Sequence, residues 1–154
     1  MKIQNYINGQ FVNPIQGKYL DNFNPAIGKV YGQIPNSTKE DVEKAYEAAA
    51  KAFPSWSSST LEERSKIISK IADLIIEKRD FLAAAESKDN GKPIALAKQV
   101  DIPRAASNFQ FFANAITQFA SEAHESIGLN AMNFTLRQPI GVVGCISPWN
   151  LPLY

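Results

Sequence analysis

Apolar and polar positions alternate with a period of two at both ends of this chain, and recur with a helical period through its middle. Tyr6-Ile7 and Phe11-Val12 flank Asn8-Gly9, a pair that supplies the positive φ angles of a type I′ turn, so the chain is predicted to open on a β-hairpin. A second extended pair is expected over Tyr19–Asn24 and Val30–Ile34, joined by the turn-forming Pro25-Ala26-Ile27-Gly28. Helices follow. Ser37 and Glu40 form a capping-box pattern ahead of Val42, Ala45, Tyr46, Ala49 and Phe53, and Pro54 is expected to end that helix. Thr60 and Glu63 repeat the box before the stripe Ile67, Ile68, Ile71, Leu74, Ile75. Asp80 reads as the cap of a shorter helix that stops at Gly91.

Pro93 opens a short helical stretch near Ala95–Lys98. Asp101 reads as the cap of a longer helix, with Pro103 in its first turn, that runs past Arg104, Phe109, Phe112, Ile116 and Phe119 to about His124. At that helix end His124 is expected on the surface, where a positive charge suits the dipole. Met132, Phe134 and Leu136 then alternate with Asn133, Thr135 and Arg137, as in a half-exposed strand. Ile140–Ile146 is an unbroken apolar run, which suits a parallel strand buried on both faces. Ser147-Pro148-Trp149-Asn150-Leu151-Pro152 follows as a proline-bounded loop at the strand's carboxyl end, where open α/β sheets bind ligands.

The class is therefore α/β, and the pattern reads as incomplete. A buried parallel strand needs neighbours on both sides and helices over both faces. No residue after Tyr154 supplies them, and Trp149, Leu151, Leu153 and Tyr154 would stand open. The expectation is a truncated chain, or one whose open face a partner chain covers.

Composition narrows the function classes. The 154 residues suffice for one domain with a core of its own, and 45% apolar with 20% charged is ordinary for a globular protein. A formal net charge of +1 gives no field that calls for nucleic acid or an acidic membrane surface. No apolar run is long enough to cross a bilayer, and the start, MKIQNYINGQFV, has neither a signal-peptide apolar region nor transit-peptide composition, so a cytoplasmic protein is expected. One cysteine and one histidine exclude an intrachain disulfide and a Cys- or multi-His metal site within one chain.

Residues 137–153, from Arg137-Gln138-Pro139 through Ser147-Pro148-Trp149-Asn150-Leu151-Pro152-Leu153, resemble the first core motif of the aldehyde dehydrogenase superfamily. The resemblance covers the whole chain, with Tyr6-Ile7-Asn8-Gly9, Phe23-Asn24-Pro25, Ala52-Phe53, Trp56, and Glu86 through Gly91-Lys92 in the family's order. Pro35-Asn36-Ser37, Phe53–Ser58, Glu86–Asp89, Asp101-Ile102-Pro103-Arg104 and Ser147–Tyr154 together resemble the 2-aminomuconic and 2-hydroxymuconic semialdehyde dehydrogenases. These oxidise a semialdehyde bearing a distal carboxylate. The resemblance implies the N-terminal part of the aldehyde dehydrogenase fold: residues 1–121 in the NAD-binding domain, 122–139 as an oligomerisation β-ribbon, and 140–154 as a central strand and loop of the NAD-binding domain. It further implies a parent enzyme that takes NAD (NADP is not excluded), acts on a small aldehyde and assembles as a homodimer or homotetramer. The glycine-rich cofactor loop, the glutamate base, the cysteine nucleophile and the catalytic domain would then lie outside these residues, and the 154 residues alone would be inactive.

Site residues follow from the same likeness. Asn150 is implied to donate its side-chain amide to the substrate oxygen as negative charge develops there, the role of an oxyanion donor; its plain alternative is a loop asparagine bonded to its own backbone. Ile146, Ser147, Pro148 and Trp149 are implied to line the nicotinamide side of the cofactor site, against simple packing. Arg104 is implied to hold the substrate carboxylate with paired hydrogen bonds, against a surface arginine in an ordinary ion pair. Asn22, Phe23 and Asp101 occupy positions that help bind a monovalent cation in some relatives, while Asp101 as a helix cap is the more economical reading. Cys145 sits in an apolar strand with no basic neighbour in sequence, so it reads as a buried, inert thiol and not as the nucleophile.

Two other function classes stay in view. A naturally short homologue would be an assembly module, its ribbon around Asn133–Arg137 pairing with another subunit's sheet by strand addition. A stand-alone nucleotide-binding domain is disfavoured, because neither G-x-G-x-x-G nor a Walker motif is present.

Overall fold

The computed structural model describes residues 1–154. Strands β1 (Asn5–Ile7) and β2 (Gln10–Val12) form the expected hairpin, and Asn8 and Gly9 take φ of 52° and 77° between them. Strands β3 (Tyr19–Asn24) and β4 (Lys29–Pro35) pair antiparallel, with a bulge between Asn22 and Phe23. The Asn24 carboxamide oxygen accepts from the Ala26 amide at 3.0 Å and sets their turn. Met1–Ile3 runs along β4, with Ile3 and Met1 bonded to Gln33 through the main chain.

Helix α1 (Lys39–Ser57) begins one residue later than its sequence pattern suggests. Thr38, not Ser37, is the N-cap, and Asp41, not Glu40, closes the capping box. Ser37 is drawn away because its hydroxyl donates to the Asn5 side chain at 3.0 Å. Asp41 is buried and accepts from the main-chain amides of Thr38 at 2.8 Å and Ile15 at 2.9 Å, so it ties the loop after β2 to the helix start. Pro54 does not end α1; it lies inside the helix, three residues before its last residue, Ser57, and the helix continues past the one hydrogen bond that proline removes. Helix α2 (Leu61–Glu77) carries the expected Thr60–Glu63 box, both of its bonds formed.

Helix α3 (Arg79–Asn90) is preceded by Lys78, so Asp80 lies in its first turn and does not cap it. It stops at Gly91, whose φ of 79° reverses the chain. A Cβ there would also come within 2.9 Å of Pro25 Cγ, so the β3–β4 turn abuts this helix end and admits only glycine.

The next segment departs furthest from its pattern. A single helical turn, α4 (Ile94–Leu96), runs through a π-helical turn at Ala97–Asp101 directly into α5 (Ile102–Ala115). Pro103 lacks the N–H that an α-helix would use and its ring crowds the preceding turn; the widened π turn relieves both. Asp101 consequently has helical angles and no capping bond, contrary to the expected N-cap. Helix α5 ends at Ala115 instead of near His124. His124 lies in strand β5 (Ala123–Ser126) opposite Asn133 of β6 (Ala131–Phe134), and a short 3₁₀ turn, Ile127–Leu129, with left-handed Asn130 closes this hairpin.

The core lies between helices. Ile75, Ala83, Ala97, Ile102 and Ala106 are buried together, with Ile71, Leu82, Phe109 and Leu153 packed on them. Alanines at the contacts let α2, α3, the π turn and α5 approach closely, and this body carries the site below. Residues Ile140–Ile146 form no strand here, and Ile146 is fully exposed. Cys145, expected to be buried, is exposed, because none of the three antiparallel hairpins supplies an edge beside it. No helix is long and apolar enough to cross a membrane.

Candidate active-site loop and the Lys92 cluster

The loop that follows residue 146 folds back onto the helical body at its end. Leu151 N–H donates to the Pro148 carbonyl at 3.3 Å, closing a turn with Trp149 and Asn150 at its tip. Leu153 then packs on the core, and the Arg104 guanidinium lies over the Tyr154 ring, 4.3 Å from its centroid. Arg104 comes from the first turns of α5, so Asn150 and Arg104 meet the same short segment from opposite ends. The Asn150 side-chain amide makes no hydrogen bond within the chain and faces outward, free to donate to a bound molecule.

Ile146, Ser147, Pro148 and Trp149 are exposed, Ile146 at 100% and Trp149 at 81%. An exposed isoleucine and an exposed indole thus flank a Ser-Pro pair.

The fixed point beneath the loop is Lys92, which the sequence reading passed over. Its ammonium donates to Asp101 Oδ2 at 2.5 Å, Glu86 Oε1 at 3.0 Å and the main-chain carbonyl of Asn150 at 3.1 Å. The three side chains are 16%, 10% and 4% exposed for Lys92, Asp101 and Glu86. Burial works against the lysine's charge, but the bonds to Asp101 and Glu86 outweigh it and hold the ammonium above the ordinary lysine range. The geometry comes from punctuation in the chain. Gly91 turns the backbone at the end of α3, and the Lys92 carbonyl accepts from Ser87 Oγ at 2.6 Å. The π turn then adds a residue and brings Asp101 round to the same ammonium.

Asn22 and Asp101 each have polar partners of their own. The Asn22 amide donates to Tyr31 Oη and Asp89 Oδ1, each at 2.9 Å, and Phe23 is exposed. Asp101 is held by Lys92. Near Asn22, burial and the bond to Asp89 push the Tyr31 phenol up to about 12. Tyr31 thus remains a donor at neutral pH and fastens β4 to α3.

Residues 11–154 match the model of the aldehyde dehydrogenase family. The chain is 46% identical over 154 residues to human 2-aminomuconic semialdehyde dehydrogenase, covering 100% of this chain and 31% of that protein. It is 40% identical over 156 residues to the 2-hydroxymuconic semialdehyde dehydrogenase of Pseudomonas sp. (strain CF600), covering 99% of this chain and 32% of that one. An aldehyde dehydrogenase from Bacillus cereus, solved as its NAD+ complex, superposes with a TM-score of 0.92 at 39% identity, over 99% of this chain and 31% of that one. The chain therefore spans about a third of the length of these relatives, and over that span its sequence and its fold agree: it belongs to the aldehyde dehydrogenase family.

Proposed function

We propose that the complete protein is an NAD+-dependent aldehyde dehydrogenase that oxidises a carboxylate-bearing semialdehyde to the acid, and that these 154 residues contribute the oxyanion donor, one wall of the cofactor site and the substrate's anion anchor. The observation that carries this reading is the loop tip. Asn150 presents an unbonded amide while its main chain is tied to Lys92. Attack on an aldehyde carbonyl places negative charge on the carbonyl oxygen, and a donor already held in position stabilises that charge without reorganising. When bound, NAD+ supplies the oxidising capacity; Ile146–Trp149 offers its ring an apolar face and keeps water off it. Arg104 binds the distal carboxylate through the edge of its guanidinium, while the flat face rests on Tyr154. The muconic semialdehyde dehydrogenases among the relatives support this substrate class.

Two further parts of the reading concern the whole protein. The Ile140–Ile146 run becomes a central strand of the cofactor domain, since its exposed apolar residues lack only sheet neighbours. The β5–β6 hairpin contacts another subunit, since both its edges are open and Met132 and Phe134 are exposed.

The decisive variant is Asn150→Ala in the complete protein. Loss of one oxyanion donor costs about 3 to 4 kcal/mol, so kcat should fall by about 10² to 10³-fold while the KM for NAD+ stays near its original value. An unchanged kcat would remove Asn150 from the chemistry, and a matching loss of NAD+ affinity would make it a cofactor contact instead.

A further inference from the structure

Lys92 is the side chain of the helical body that bonds the main chain of Asn150. Ammonium groups at the surface hold carbonyls loosely. Here the side chain is drawn in by two nearly buried carboxylates, one from α3 and one from the π turn, so its position is set from two directions. The Asn150 carbonyl belongs to the peptide plane that leads to Leu151. Fixing that plane limits the angle at which the Asn150 side chain leaves the turn. Leu153 on the core and Tyr154 against Arg104 hold the end of the loop.

We infer that Lys92 is a positioning residue for the reaction: with Glu86 and Asp101 as its clamp, it donates to the Asn150 carbonyl and so orients the Asn150 amide toward the substrate oxygen. This rests on the oxyanion role proposed above. Lys92 touches neither substrate nor cofactor and makes no proton transfer; its effect passes through one peptide plane. Misplacement of a reacting or stabilising group by about 1 Å can cost about a hundredfold in rate, which leaves ample room for such an effect.

The test is a double-mutant cycle in the complete protein, between Lys92 and Asn150. Lys92→Met alone strands two buried carboxylates and could unfold the helical body. The cycle is therefore also run with Lys92→Met, Glu86→Gln and Asp101→Asn combined, which leaves no buried charge and still lacks the donor. Rates are taken per folded subunit, with thermal melting as the check on folding. In the combined variant kcat should fall about tenfold or more, the KM for NAD+ should hold, and Asn150→Ala added to it should cost much less than it does in the unmodified protein. Lys92→Arg, which retains a donor, should recover part of kcat. A purely structural lysine would lower the melting temperature and leave kcat per folded subunit alone, which overturns the inference. So does full additivity of the two losses: if Asn150→Ala is then severe by itself, the oxyanion role stands and only the positioning falls. If Asn150→Ala by itself leaves kcat unchanged, the oxyanion role fails and the positioning falls with it.

Discussion

Under the proposed function Arg104 and Asn150 divide the substrate between them, one at the anionic end and one at the reacting oxygen, and substitution should separate the two tasks. Charged hydrogen bonds contribute about 1.5 to 3 kcal/mol each, so Arg104→Met should raise KM about 10- to 100-fold for a semialdehyde with a distal carboxylate. For an uncharged aldehyde of the same length KM should hardly change. Steady-state kinetics with the matched pair decides it; equal effects on both substrates would return Arg104 to a packing role against Tyr154. Both residues are singled out by resemblance in the sequence, Asn150 within a long motif and Arg104 within the short Asp101-Ile102-Pro103-Arg104 segment. Lys92 is not. It is six residues from Glu86 and nine from Asp101, and neither spacing is a helical neighbour relation, so no periodic rule joins them. A glycine turn and a π turn make the cluster, and their joint effect is three-dimensional.

Among the elements, helix existence was readable throughout and helix ends were not. Near α1 the stretch Ser37-Thr38 and Glu40-Asp41 offers two capping boxes one residue apart, equal in local chemistry. The choice fell to partners distant in sequence: Asn5 takes the Ser37 hydroxyl and Ile15 gives its amide to Asp41. The same contacts make a pH prediction. Main-chain donors from Thr38 and Ile15 hold the Asp41 carboxyl below the ordinary carboxylate range. Its ionised form therefore contributes stability above the unfolded-state value, and that contribution is lost as pH falls through the lower, folded-state value. Asp41→Asn keeps the shape and removes the charge. Its deficit in melting temperature should be largest near neutral pH and shrink as the pH is taken below the ordinary carboxylate range. A deficit that stays constant across that range would mean that the charge of Asp41 does not matter. Pro54 and Pro103 teach a related point. The pattern has Pro54 end a helix and Pro103 sit in the first turn of one, and both lie within continuous helix, one near a terminus and one beyond a widened turn that accommodates it.

At the scale of the whole molecule, the buried core lies in the helical body and the apolar run near the end of the chain lies outside it. Ile140–Ile146 has the composition of a buried strand and lies exposed, with Cys145 among the exposed residues. If that run joins a sheet in the complete protein, Cys145 should resist iodoacetamide under native conditions and react once urea is added, as read by peptide mapping. Rapid native labelling at Cys145 would count against the central strand. Taken by itself, the sequence determined the α/β class, the two N-terminal hairpins, the Thr60 cap, the stop at Gly91 and the family likeness, because turn chemistry, periodicity and motif order are local properties. Tertiary structure alone decided which of two capping boxes forms, that Asp101 pairs with a lysine and caps nothing, that α5 stops at Ala115 so that His124 enters a strand, and that Lys92 reaches the Asn150 carbonyl. The cap and the Asp101 pairing are competitions for a polar group between a near neighbour and a distant one, and the distant partner exists only once the chain has folded.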